Sequence, residues 1–387
     1  MVEALTESGF ATHVILPDAG SLLDRLEESG QSPQVVAAPS SLRVYGRSRT
    51  PTVFWRAAAA LPLYWVRLYL HLRRTRPDIL HMNDHRGVIM AAPAAVLLRI
   101  PRVWHIHGIL SSRLLTAVAA KLSTVIIVPT RAAANDTPLS RGARFKVRVV
   151  SNWLRQPQSR LDGPTPASNP IIVCAASARP EKGLDVLIRA SALLLSRHPG
   201  MEVRIAGGVQ VGYEHYYVEL QQLISDLGLV GVVCLEGYKV DAFSGWDEAC
   251  IYVQPSRSET FGLAVLEAMS SGLAIAVTDV GGLSELIEDG VTGLVAPSDD
   301  PAALAAVLER LLSSALLRAD LSAQASLAAA TSYSLDTALT NLLLAYEEAR
   351  RPTYGWRWLL LPLRYFRGSG GTETGSATQP ADSHKAT

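Results

Sequence analysis

Short apolar runs alternate with helix-length segments along most of this chain, and only a few residues link one to the next. Strands spaced this way need crossover helices rather than hairpins, so the pattern calls for parallel sheets covered on both faces. In the first half, residues 13–17, 34–37, 78–83, 102–108, 124–129 and 146–151 read as strands, with helices predicted over 53–76, 86–99, 110–122 and 131–139. In the second half, strands are predicted at 171–175, 201–206, 232–235, 249–253, 273–277 and 293–296, and helices at 183–197, 216–227, 301–317, 320–329 and 335–350. Residues 156–170 hold four prolines among Ser, Thr, Gly and Asn, and read as a linker. The chain thus divides into one α/β unit at 1–155, a second at 171–334 and a closing helix at 335–350. Residues 351–367 form an aromatic and basic segment, and 368–387 has the small, polar composition of a disordered tail.

Composition narrows the partners. With 387 residues and 48% hydrophobic content, two proper cores are available. A formal charge of +1 provides no global field for nucleic acid. Cys174, Cys234 and Cys250 each sit in an apolar, strand-like run, and read as reduced core residues rather than as a disulfide frame or metal site. No basic-then-apolar leader opens the chain and no run of eighteen uncharged apolar residues occurs, so a cytoplasmic protein without a spanning helix is expected. Residues 2–8 look like the end of an amphipathic helix stopped by Gly9, where an α/β domain should begin with a strand and a Gly-rich turn. The expectation is that the true start lies upstream of Met1; the alternative is a genuine deletion that weakens or abolishes activity.

Two segments invite a membrane reading. Residues 53–76 carry Trp55, Tyr64, Trp65 and Tyr69 with Arg56, Arg67, Arg73, Arg74 and Arg76, and Pro62 is expected to kink or split the helix. Residues 354–367 repeat the theme with Trp356, Trp358 and three arginines in a stretch too short to span a bilayer. Both fit contact with an inner membrane surface. Both fit equally a packed helix with a solvated basic end, or a segment wrapping the first domain.

The stretch with most chemistry runs from Pro255 to Gly272. Glu259 and Glu267 stand in it with seven residues between them. A helix is predicted from about Gly262 to a glycine stop at Gly272. From Thr260 to Thr278, Glu267 is the only charged residue, so this helix is apolar nearly all round. A carboxylate on such a helix is costly unless something hydrogen-bonds to it, and a ligand's hydroxyl pair would serve. A core arginine would serve equally. The backbone amides of Gly262 and Leu263 open the helix, a natural place for phosphate.

These residues resemble a known family. The run Ser258-Glu259-Thr260-Phe261-Gly262-Leu263-Ala264-Val265-Leu266-Glu267-Ala268-Met269, followed by Gly281-Gly282-Leu283-Ser284-Glu285, is similar to the donor-binding signature of retaining GT-B glycosyltransferases, glycosyltransferase family 4 (glycosyl transferases group 1). The likeness is strong over 171–350 and weaker before residue 150. It implies two Rossmann-like doubly wound domains facing a cleft, with the C-terminal helix crossing back to the first domain. It implies a nucleotide-diphosphate sugar as donor and a glycan or lipid-linked acceptor, with retention of configuration, no metal and no other cofactor. Arg179 and Lys182 match positions that hold the donor diphosphate, together with the Gly262 and Leu263 amides. Glu267 would accept ribose hydroxyls. Glu259 would orient the sugar or steady positive charge at the anomeric carbon. The turn Gly237-Tyr238 would abut the nucleotide base.

In the first half, His81, Asn83, Asp84 and His85 sit at one strand end, His105 and His107 at another, where α/β sheets bind ligands. His107 matches the place where the family puts a histidine near the donor sugar. Strand alternation leaves His105 as readily core as site, and the His-x-His pair lacks an evident third metal ligand. The interdomain turn at 149–154 departs from the family pattern, since Trp153 replaces the usual glycine. The rival readings are an inactive sugar-nucleotide-binding or scaffold protein, and another GT-B enzyme such as an epimerase or phosphorylase. The last two are disfavoured by the double-Glu spacing and by the lack of a pyridoxal lysine context.

Overall fold

The structure is a computed structural model and describes residues 1–44, 51–108, 112–154 and 170–351. The predicted linker core and the aromatic and basic segment beyond Arg351 lie outside these described residues. The first half comprises α1 (Val2–Glu7), β1 (Ile15–Leu16), α2 (Ser21–Glu28), β2 (Gln34–Val35), α3 (Ser40–Val44), α4 (Pro51–Thr75), β3 (Leu80–Asn83), α5 (Asp84–Leu97), β4 (Arg102–His105), α6 (Arg113–Leu122), β5 (Val125–Val128), α7 (Arg131–Asp136), α8 (Arg141–Arg144) and β6 (Val147–Val149). The second comprises β7 (Ile171–Ala175), a 3-10 turn (Pro180–Lys182), α9 (Leu184–Leu194), β8 (Glu202–Ala206), α10 (Glu214–Asp226), β9 (Val233–Gly237), β10 (Ala249–Gln254), α11 (Leu263–Ser270), β11 (Ala274–Thr278), α12 (Leu283–Leu286), β12 (Leu294–Ala296), α13 (Pro301–Ser313) and α14 (Ala315–Ser332). The closing helix is α15 (Leu335–Arg350).

Every ladder is parallel. The second sheet runs β12-β11-β10-β7-β8-β9, so the chain starts in the middle, builds to one side, then crosses over and builds to the other. The reversal lies between β7 and β10. Their carboxyl ends therefore diverge into loops that leave a crevice, the usual ligand position in an open α/β sheet. β10 and β11 are buried at every residue, which is why they read as continuous apolar runs rather than alternating ones. Apolar cores fill both faces of this sheet: Ile172, Cys174 and Leu187 belong to one, Val173, Tyr252 and Leu266 to the other.

In the first half, β3-β4-β5-β6 form a four-stranded sheet, while β1 and β2 pair only with each other. Among the described residues, no strand joins these two pieces, although Ile15 of β1 and Leu80 of β3 pack on the same α4–α5 core. α15 returns from the second half and lays Leu342, Ala345, Tyr346 and Ala349 against Val103, Val125 and Ile127 of β4 and β5. Leu5 of α1 joins that cluster. Arg148 Nε donates to Glu348 Oε2 at 2.5 Å and clips the end of α15 to β6.

Several expectations need correcting. Pro62 does not split the helix: α4 is continuous across it. Ala57, Tyr64, Leu68 and Leu72 bury one face on both sides of the proline, and this packing outweighs one missing N–H. Cys234 is exposed although Cys174 and Cys250 are buried, because its strand β9 is the sheet edge. Gly207 serves close packing, since a Cβ there would stand 1.8 Å from the Ala176 carbonyl oxygen.

Pro62 leaves the Ala58 carbonyl without its helical donor, so Pro62→Ala should stabilise the protein by about 1–3 kcal/mol. Urea titration would show it as a higher midpoint with an unchanged slope.

Candidate functional site

Two loops form the crevice. The loop after β7 carries Arg179 and Lys182; the loop after β10 carries Glu259. Their backbones are stitched together. Arg257 N–H donates to Glu181 O at 2.8 Å, and Arg257 Nη1 donates to Pro180 O at 2.7 Å. The Arg257 guanidinium also pairs with Asp185 at 2.8 Å and Asp299 at 2.6 Å, which raises its pKa further. Gly183 sits at φ 64° beneath Pro255, and a Cβ there would come within 1.9 Å of the Pro255 carbonyl oxygen. Sequence reasoning passed over Arg257 and Asp185; both lie outside the recognised motif positions, and only the folded loops show what they hold.

The Gly281–Gly282 pair has a comparable role. Gly282 N–H donates to Glu259 O at 2.9 Å. A Cβ on Gly281 would lie 2.1 Å from Glu259 O, and one on Gly282 2.4 Å from Thr260 O. The loop after β11 thus nests directly against the backbone that presents Glu259.

The side chains follow from that framework. Lys182 Nζ donates to Glu259 Oε2 at 2.5 Å, with both groups largely buried. Arg179 Nε is buried without a hydrogen bond among the described residues and stands 3.9 Å from Glu181. Gly262, at φ 101°, caps α11, and a Cβ there would meet Leu283 at 2.7 Å. The first-turn amides of α11, beginning at Leu263, have no partner within the helix, and the Leu263 side chain is half exposed. Glu267 projects from α11 partly buried, and no hydrogen bond from the described residues reaches its carboxylate. Burial, and then the field of Asp241, push its pKa up. Burial also holds the Tyr252 phenol neutral, and after Cys174 the carboxylates of Glu259 and Glu267 both add to the effect. Both acids are therefore within electrostatic reach of one hydroxyl.

Gly237, at φ 74°, ends β9, the edge strand of the sheet. Tyr238 is 77% exposed and leans on Gly208 rather than on the acidic pair.

The first-half candidates form a second group. His107 lies past the end of β4 and is exposed; its N–H donates to Asp84 Oδ1 and its Nε2 hydrogen-bonds Asn83 Oδ1, each at 3.2 Å. Asp84 takes a left-handed φ of 56°. His105 lies beneath, 3% exposed, with its ring 4.0 Å from that of His107. His105 Nδ1 hydrogen-bonds His81 Nε2 at 3.2 Å, and His81 Nδ1 hydrogen-bonds Tyr346 Oη at 2.9 Å. Burial, then the His107 field, pushes His81 down to about 4 and His105 to about 2, so both imidazoles are neutral near pH 7. His105 is therefore core, one of the two readings left open for it. Among the described residues no cluster of His, Cys, Asp and Glu could hold a metal ion. Tyr346 was invisible to motif reasoning, because α15 reaches this place only through the tertiary fold.

Three contacts join the halves here. Thr130 Oγ1 donates to Thr260 O at 2.9 Å, and Arg131 N–H donates to Glu285 Oε2 at 3.0 Å. Ala132 N–H donates to the other Glu285 oxygen. Glu285, noted in the sequence only as part of a signature, caps α7 across the interface.

Two parallel α/β units with a crevice at the switch point and a returning helix define the GT-B glycosyltransferase fold. Residues 1–154 match the model of Glycosyltransferase Family 4, and residues 156–327 match that of Glycosyl transferases group 1. It is 36% identical over 175 residues to the D-inositol 3-phosphate glycosyltransferase of Arthrobacter sp. (strain FB24), a match covering 44% of this chain and 41% of that protein. The enzyme of the same name from Salinispora arenicola is 33% identical over 213 residues, 54% of this chain and 47% of that one. The chain thus spans about half or less of the curated relatives it matches. Among solved structures, Anabaena HepE with UDP and glucose superposes with a TM-score of 0.74 at 20% identity, covering 89% of this chain and 94% of that one. A glycosyltransferase from Rickettsia africae gives 0.75 at 17%, covering 91% and 93%.

Two variants test the geometry. Glu267 has a raised folded pKa, so its ionised form costs stability at neutral pH and the cost fades as pH falls through that raised value. Glu267→Gln should therefore match or exceed the parent's thermal midpoint at pH 7, with the gain vanishing in acid. Gly281→Ala should cost about 2–4 kcal/mol in chemical denaturation, because the new Cβ must push the Glu259 backbone aside.

Proposed function

We propose that this protein is a retaining glycosyltransferase that moves a sugar from a nucleotide-diphosphate sugar to a glycan or lipid-linked acceptor in polysaccharide or glycolipid synthesis. The observation that carries the reading is Glu267: a partly buried carboxylate on an apolar helix, next to helix-opening amides, with no hydrogen bond from the described residues. A protein tolerates such a group when a ligand completes it. Ribose hydroxyls are the proposed ligand. HepE holding UDP and glucose makes a UDP-sugar the first donor to try.

The diphosphate lies, in this proposal, between Arg179, Lys182 and the Gly262 and Leu263 amides, which meet the leaving charge without requiring a metal. Lys182 then divides its interaction between phosphate and Glu259, and Glu259 faces the sugar. The anomeric C–O bond to phosphate breaks, the acceptor oxygen attacks from the same face, and its proton passes to the departing phosphate oxygen. His107, outside β4 and held by Asn83 and Asp84, offers a hydrogen bond to the sugar from the acceptor side. The Gly237–Tyr238 turn is assigned to the base. The protein is placed in the cytoplasm, peripheral on the inner membrane face, where lipid-linked acceptors present their head groups.

A second reading keeps donor binding and removes turnover: a nucleotide-sugar-binding or scaffold protein. The split first sheet favours it, since β1–β2 and β3–β6 share no strand among the described residues. One assay separates the two. Nucleoside diphosphates and their sugars are screened by thermal shift, then the best donor is incubated with cell-membrane extract, with and without EDTA. The enzyme reading expects a shift, EDTA-resistant sugar transfer, and an anomeric proton coupling in the product that matches the donor. A shift without transfer selects the scaffold; no shift with any nucleotide would sink both.

A further inference from the structure

We infer that the outward face of α4 is a docking surface for an anionic lipid bilayer. The helix is 25 residues long and apolar on two sides. Its inner side puts Ala57, Tyr64, Leu68 and Leu72 into the first-half core, and Trp65 Nε1 donates to Ile89 O at 3.0 Å, which ties it to α5. Its outer side leaves Trp55, Leu63, Val66 and Leu70 between 47% and 70% exposed. At ~100° per residue these four fall within roughly 80° of arc, a single stripe along the helix.

Charge identifies the occupant. α4 carries Arg56, Arg67, Arg73 and Arg74 and no acidic residue at all, in a chain whose formal charge is only +1. Arg56, Arg67 and Arg74 fall along one edge of the stripe at the same ~100° spacing, and Arg73 lies on it near the C-terminal end. None of the four is ion-paired among the described residues, and Arg67 alone spends a donor on backbone, at Ala37 O. An apolar stripe edged by cations, with Trp near one end, matches an acyl boundary beneath anionic head groups. A second copy fits worse. Isologous pairing would bring two such arginine sets into one interface with no carboxylate from either helix. No helix among the described residues is long and apolar enough to cross a membrane, so α4 lies on the surface rather than through it.

The inference rests on the membrane-side acceptor reading for its purpose, but lipid partition needs neither donor nor acceptor, so the two can fail separately. The full chain is floated with vesicles of phosphatidylcholine, and of phosphatidylcholine mixed with phosphatidylglycerol. Recovery with the mixed vesicles only, weakened by salt, is expected. Leu63→Ser/Val66→Ser/Leu70→Ser should reduce partition at least tenfold. Arg56→Gln/Arg73→Gln/Arg74→Gln should reduce it on the order of a hundredfold, since each surface arginine contributes about one kcal/mol near such a bilayer. Both variants should keep the parent's thermal midpoint, and the two surface changes give independent readings should one fold poorly. Equal recovery with both vesicle types, or partition untouched in both variants, overturns the proposal. So does light scattering that finds a dimer in the parent and a monomer in the Leu63/Val66/Leu70 variant, which would assign the stripe to a second copy.

Discussion

The candidate site depends on close backbone contact around residues 255–262. Three glycines, Gly183, Gly281 and Gly282, face this segment where a Cβ would come within 2.4 Å of a main-chain carbonyl oxygen. No rotamer relieves such a clash, because the obstructing atom is backbone. The contacts bring the loop after β7, the loop after β10 and the loop after β11 into one rigid unit, with Arg257 as its polar clamp. Lys182 and Glu259 meet at 2.5 Å because these loops cannot separate. Positioning by main chain is stiffer than positioning by side-chain packing, and a site that must orient a flexible ligand gains from that stiffness.

Within the unit, the two acids have different surroundings. Glu259 already has a cation; Glu267 has none, and burial raises its pKa. The charged form of Glu267 is therefore held at a cost to the free fold, the usual relation between stability and a site awaiting a partner. The same contrast appears among the histidines. His81 and His105 are buried and neutral, whereas His107 stands in the open with Asn83 and Asp84 as neighbours. A stack of uncharged rings under an exposed one gives it a firm base without adding a competing positive charge.

The halves are joined at both ends of the site. Glu285 caps α7 across the interface, next to the glycine pair that supports Glu259, and Thr130 reaches Thr260. On the other side α15 brings Tyr346 back to His81. Any relative movement of the halves must therefore disturb groups that contact the candidate site directly.

What the amino-acid order determined by itself was the parallel α/β class, the order of the strands and of the longer helices from α4 onward, and the motif carrying Glu259 and Glu267. These rest on local signals: fully buried strands are continuous apolar runs, and a lone acid among nineteen largely apolar positions stands out whatever the fold. Leu335–Arg350 could be read to its ends because Ser334 caps it and a proline follows Arg351. The tertiary structure alone decided that α4 continues through Pro62, that Cys234 is exposed at a sheet edge, that Gly207 serves packing, and that β1–β2 stand apart from β3–β6. It alone paired Arg257 with Asp185, Glu285 with α7, and Tyr346 with His81. The reason is sequence separation: these partners lie 72, 154 and 265 residues apart, and no local propensity encodes a contact that forms only after both sheets have packed.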